Sequence, residues 1–188
     1  MNKTKRKIFE ASMKLFAEKG YDATSVEEIT ATVGVAKGTL YYHFSSKEEI
    51  YNFLLEEGTK LLINNIDIKV SKFKRTIDKL RAIALLQLRI ISKYQNLITI
   101  YLSQVWGNDT RNQKCQKYIK TYINKIEEIV KEGIDNGELK EGNSEIIASE
   151  IFSFTCVGLI YKITTNQPIN LKEMCAEFDN MIYGLLKK

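Results

Sequence analysis

Proline is almost absent from this 188-residue chain: it occurs once, at Pro168, beside ten glycines. With so few breakers the chain can run in helices for most of its length, so an all-α fold is expected. Cysteine is scarce as well. Cys115, Cys156 and Cys175 are odd in number and 41 and 19 residues apart, and no CxxC pair occurs. That excludes a zinc ribbon and a thioredoxin-like site and leaves free thiols packing as small hydrophobes. His43 is the single histidine, which removes a histidine metal cluster and leaves no Ser-His-Asp triad elsewhere. Neither GxGxxG nor GxxxxGK[ST] is present, so no phosphate-cradling loop is offered. An enzymatic reading therefore has no residues to rest on, and no cofactor is expected. The basic residues at the start are followed by no apolar h-region, so no signal peptide is expected. The most apolar stretch, 151–161, is bracketed by Glu150 and Lys162. It is shorter than the roughly 20 residues a bilayer span requires. A cytoplasmic protein without membrane contact is the expectation.

Hydrophobic residues make up 44% and charged residues 27%, enough apolar material for a core in one domain or two small ones. The net charge of +5 is unevenly spread. Lys3, Lys5, Arg6 and Lys7 crowd the start, an arm that suits a polyanion and equally a solvated terminus. Residues 51–100 carry nine Lys and Arg against four Asp and Glu. That excess has two readings: a receiver for an anionic group, or a solvated face.

Helical periodicity organises the first fifty residues into four short helices. Ile8, Ala11, Leu15 and Phe16 share a face, and Lys19-Gly20 reads as a helix end. Thr24 with Glu27 suits a capping box opening a second helix, whose stripe is Val26, Ile29 and Val33 and whose end is Gly34. A third helix spans 37–43. Ser45 with Glu48, or Ser46 with Glu49, opens a fourth that carries Ile50, Phe53, Leu54 and Leu61. Further helices are expected around 72–92, 94–106, 111–135, 144–164 and 171–187, about nine in all. The 144–164 stretch is apolar nearly all round, which asks for burial on more than one side. A partner subunit is a natural cover for the second side.

Two short helices joined by Gly34-Val35-Ala36 form a helix-turn-helix, with a tight turn and a second helix free to enter a major groove. Leu40 and Phe44, four apart, face the core, leaving Lys37, Gly38, Thr39, Tyr41, Tyr42 and His43 for DNA. A glycine at position 38 is a poor helix former and makes sense where a side chain would meet the duplex. The order Gly20-Tyr21, Thr24-Ser25-Val26-Glu27-Glu28-Ile29, Gly34-Val35-Ala36-Lys37-Gly38-Thr39-Leu40-Tyr41-Tyr42-His43-Phe44 and Lys47-Glu48 resembles the TetR family of bacterial transcriptional regulators, over roughly residues 5–55. The resemblance implies an N-terminal three-helix DNA-binding domain (1–48, helix-turn-helix about 26–44) and an effector-binding and dimerisation bundle (49–188). It implies Lys37, Gly38 and Thr39 at base-reading positions. It likewise implies phosphate contacts from Tyr41, Tyr42, His43 and Lys47, with Thr24 and Ser25 at the start of the second helix. Ala36 departs from the serine frequent in the family, losing a helix cap and a phosphate contact. Also implied is a homodimer joined through the last two helices, where Ile151, Phe154, Met174, Phe178, Met181 and Ile182 are the candidate interface residues.

For an effector pocket the candidates are Tyr94, Tyr101, Gln104, Trp106, Tyr122, Phe152, Thr155 and Tyr161, aromatic and polar residues on the middle helices. These stretches lack acidic residues at apolar positions, which argues against a cation and for a neutral or anionic lipophile. The expected function is a ligand-responsive repressor, released from a palindromic double-stranded operator by such an effector. The rival is a helix-turn-helix DNA-binding protein with no small-molecule ligand, architectural or controlled by a protein partner.

Overall fold

The computed structural model describes residues 2–186, apart from the side chains of Leu61 and Thr155. These residues form nine helices: α1 (Lys3–Lys19), α2 (Val26–Val33), α3 (Lys37–His43), α4 (Lys47–Val70), α5 (Thr76–Lys93), α6 (Gln95–Ser103), α7 (Thr110–Asp135), α8 (Ser144–Thr165) and α9 (Leu171–Tyr183). One compact unit joins the chain up to Lys60 with Asn96–Tyr118; the other joins Leu61–Gln95 with the chain from Ile119 onward.

In the first unit, α1 closes at Gly20, whose φ of 83° is open to glycine and whose N–H reaches Phe16 O at 3.0 Å. The cap of α2 lies one residue later than the sequence suggests. Ser25 and Glu28 make the reciprocal capping box, because the Thr24 hydroxyl is buried and donates to Gly20 O at 2.8 Å. Gly34, left-handed at φ 74°, ends α2. At α4 the Ser46 hydroxyl accepts from Glu49 N at 3.0 Å, half of the second expected box, while the Glu49 carboxylate accepts from the backbone N–H and hydroxyl of Ser45, both at 2.6 Å, and not from Ser46 N. Ile8, Phe16, Ile29, Leu40, Phe44 and Leu54 form the core of the head. Phe16, Tyr21 and Tyr51 close a triangle of rings with centroids 5.2 to 5.9 Å apart. Helix α6 packs closely on α4: a Cβ on Gly58 would lie 2.9 Å from Leu97 Cδ2.

In the second unit α5 is the central helix, with ten buried residues, and α8 and α9 both pack on it. Arg81 of α5 binds Asp179 of α9 at 2.6 Å, and the Phe154 ring meets Phe178 at 5.1 Å. Helix α8 is 22 residues long and holds an 18-residue window of mean hydropathy 1.6, so by length and composition alone it could cross a membrane, a test that a core helix passes too. The helix runs past both charges that bracket the 151–161 stretch. Its Ile147, Ala148, Ile151, Phe154 and Leu159 are buried in the unit, while Ile146, Val157, Ile160, Tyr161 and Ile163 are exposed.

That division revises the candidate dimer residues. Ile151, Phe154, Phe178 and Ile182 are all at most 8% exposed and belong to the chain's own core, whereas Met174 is half-buried and Met181 exposed. Sequence periodicity finds an apolar face but cannot say whether the cover comes from the same chain.

Candidate nucleic-acid interface and sensing interior

Helix α3 presents Gly38, Tyr41 and Tyr42 to solvent, with Tyr42 83% exposed and its ring 5.0 Å from that of His43. Leu40 and Phe44 are buried on the opposite side, as their spacing requires. Thr39 is half-buried, and its N–H bonds Ala36 O at 2.9 Å. Ala36 caps α3 without a side-chain hydrogen bond, as expected of an alanine at that position. A Cβ on Gly38 would meet nothing within 4 Å. Internal packing therefore gives no reason for glycine there.

Lys37 is not free. Its ammonium is paired with Glu27 of α2. The Lys37 hydrogen bond holds the Glu27 carboxyl below its usual range and Glu27 raises Lys37, so both stay charged at neutral pH. DNA must break this exposed pair to use Lys37. Glu27→Gln is therefore expected to tighten operator binding about three- to tenfold, with the larger gain at low salt, where charge interactions are least screened. Fluorescence anisotropy at two salt concentrations checks this, and unchanged affinity at both would show that the pair does not compete with DNA.

Two expected phosphate contacts are spent inside the fold. Lys47 donates to Tyr21 O and Thr24 O, both at 2.8 Å, and lies 4.2 Å from the Tyr21 ring centroid. Two of its three N–H bonds thus pin the turn between α1 and α2, and Thr24 is only 1% exposed. Both residues thus shape the head, with Thr24 buried and one N–H of the half-buried Lys47 left over. Ser25 likewise works as a cap. Pattern reading missed the partners of this turn. Arg111, at the start of α7, stacks 4.3 Å from the Tyr21 ring and binds Asp22 at 2.8 Å, while Lys114 binds Glu48 at 3.1 Å. Nothing local marks Arg111, because its partner is 89 residues away. In the basic arm, Lys5 sits 4.8 and 4.6 Å from the Phe44 and Phe53 rings, and Arg6 pairs with Glu10.

The candidate effector residues are dispersed. Trp106 is 89% exposed on the turn after α6, so its fluorescence is no interior reporter. Gln104, in the same turn, accepts from the Asn112 amide of α7 through its backbone O at 2.9 Å and its Oε1 at 3.3 Å. Tyr101 is buried in the first unit, sharing a 2.7 Å hydrogen bond with Thr59 and donating to Leu55 O, which makes it a tie between α6 and α4. Tyr94 is the half-buried C-cap of α5, and Tyr161 is 44% exposed. The Thr155 side chain lies outside the described residues. Tyr122 and Phe152 do come together, rings 5.7 Å apart, inside the second unit. Beside them stands a residue the sequence reading passed over, Gln87. Its signal was visible: a lone amide in the run Ile83-Ala84-Leu85-Leu86-Gln87-Leu88. Among the described residues no cluster of His, Cys, Asp and Glu could hold a metal ion.

Residues 8–53 match the bacterial regulatory proteins of the TetR family, and residues 55–186 match the C-terminal region of YsiA-like proteins. The chain belongs to the TetR family. A curated relative, the fatty acid metabolism regulator protein of Bacillus subtilis, is 31% identical over 136 residues, 72% of this chain and 70% of that protein. A Clostridium perfringens structure named as a fatty acid metabolism regulator superposes with a TM-score of 0.89 at 30% identity, covering 97% of this chain and all of that one. The transcriptional regulator FadR of Bacillus subtilis, solved with stearoyl-CoA, superposes at 0.84 with 26% identity, covering 96% and 98%. This TetR-family protein is a DNA-binding transcriptional regulator.

Proposed function

We propose that this regulator is a cytoplasmic, non-enzymatic repressor that leaves a palindromic operator when a long-chain fatty acyl-CoA binds its second half. The observation that carries this reading is the likeness, along nearly the whole chain, to a regulator solved with stearoyl-CoA. The chemistry of the interior supports it: among the described residues no Asp, Glu, Lys, Arg or His side chain is buried, which suits an acyl chain and disfavours a cation. In this reading residues 1–48 are the DNA head and 49–188 sense and dimerise. Lys37, Gly38 and Thr39 face bases, while Tyr41, Tyr42 and His43 face phosphates. The exposed end of α8, with Val157, Ile160 and Ile163, joins Met181 and Tyr183 of α9 as the surface for a second copy.

Genomic fragments retained by the purified protein supply the operator. Stearoyl-CoA is expected to release it at micromolar concentration while free CoA does not. By linkage, saturating operator must weaken stearoyl-CoA binding by the same factor. Operator binding indifferent to acyl-CoAs of every chain length would sink the reading and favour control by a protein partner.

A further inference from the structure

Polar side chains deep in a helical bundle are nearly always hydrogen-bonded, because an orphaned group costs about 1–3 kcal/mol. Gln87 on α5 and Tyr122 on α7 break that rule side by side. They are 2% and 3% exposed; the Tyr122 hydroxyl lies near enough to the Gln87 amide for that amide to oppose, weakly, the effect of burial on the phenol, yet neither the amide oxygen and nitrogen nor the hydroxyl reaches hydrogen-bond geometry with a group of the chain. Burial raises the phenol's pKa and keeps it a neutral donor. The Phe152 ring on α8 walls the pair edge-on. The surroundings are apolar: along α5 the buried neighbours are Ile83, Ala84, Leu86, Leu88, Ile90 and Ile91. Leu and Phe at these two positions would cost the fold nothing in hydrogen bonds.

We infer that Gln87 and Tyr122 form a two-donor seat for a neutral carbonyl carried by the effector. The phenol O–H and the amide N–H both donate to one carbonyl oxygen, and Phe152 covers the adjoining methylenes. The absence of buried cations among the described residues sets the class of ligand. A free carboxylate would enter without a countercharge, whereas a thioester or ester carbonyl brings two lone pairs and no charge. The seat therefore selects acyl thioesters or esters over free fatty acids. This rests on the acyl-CoA reading above for the identity of the carrier, though not for the carbonyl.

The test compares palmitoyl-CoA, its thioether analogue hexadecyl-CoA, palmitate and methyl laurate on the full-length protein. Wild type, Gln87→Leu, Tyr122→Phe and the double variant are titrated calorimetrically, with thermal unfolding of each. Wild type is expected to bind palmitoyl-CoA at least about tenfold more tightly than the thioether or palmitate. Each single variant is expected to lose about tenfold for palmitoyl-CoA and nothing for the thioether, while its Tm stays level or rises. If the pair is satisfied only by internal water, the variants change Tm and leave every ligand affinity alone, which overturns the inference. Should a variant fail to fold, equal wild-type affinities for thioester and thioether overturn it just as well. Methyl laurate binding that depends on the pair, with no palmitoyl-CoA binding, would refute the acyl-CoA carrier and keep the seat. Binding by none of the four compounds refutes the seat.

Discussion

Ile160→Glu is expected to produce a folded monomer that has lost its operator. Ile160 is 57% exposed on the outer side of α8, next to Val157 and Ile163, at 50% and 64%. A monomeric soluble protein rarely leaves such a row to water. A carboxylate there costs the chain's own core little but would be desolvated, without a partner, in a dimer. The consequence for DNA follows from valency. Two heads held together bind the second half-site at an effective concentration set by the dimer, and such linkage raises affinity by about 10²–10⁴-fold. Losing the dimer should cost operator affinity on that scale. Light scattering supplies the mass and anisotropy the affinity. A dimeric variant, or a monomer that binds as tightly as wild type, would refute this face as the interface. Phe178→Glu would be uninformative, since at 1% exposure it buries a charge in the chain's own core.

The second large effect is expected at Gly38. Open space surrounds its Cβ position, and α3 is a helix in which glycine is about 1 kcal/mol poorer than alanine. Gly38→Ala should therefore raise stability by up to that amount, and Gly38→Leu should leave the head folded. If the glycine admits the duplex, operator affinity falls in steps with side-chain size. Leucine would lose about a hundredfold, comparable with the 1–3 kcal/mol at stake in one base contact. Calorimetric Tm and anisotropy measured on the same preparations separate the two effects. A leucine variant that binds like wild type would show that position 38 stays clear of the DNA.

By itself the sequence determined the helical class, most helix boundaries and the DNA-reading helix. All three rest on local physics: apolar spacing, glycine at left-handed caps, and side chains that cap the helix beginning beside them. Gly20 and Gly34 end α1 and α2 as read, and α7 and α8 begin and end within one residue of the expected bounds. The cap of α2 slipped by one residue because Thr24 and Ser25 are chemically equivalent as caps, and only the buried bond of Thr24 to Gly20 chooses between them. Tertiary structure alone decided whether an apolar or polar side chain is spent inside or offered outside. Phe178 and Ile182 are buried within their own chain, Lys47 gives two of its three N–H bonds to carbonyls, and Trp106 points to water. Periodicity assigns a residue to a face of its helix. The neighbour of that face is set by contacts such as Arg111 with Asp22, across 89 residues of chain, or by the meeting of Gln87, Tyr122 and Phe152 from three helices, and no local pattern encodes those distances.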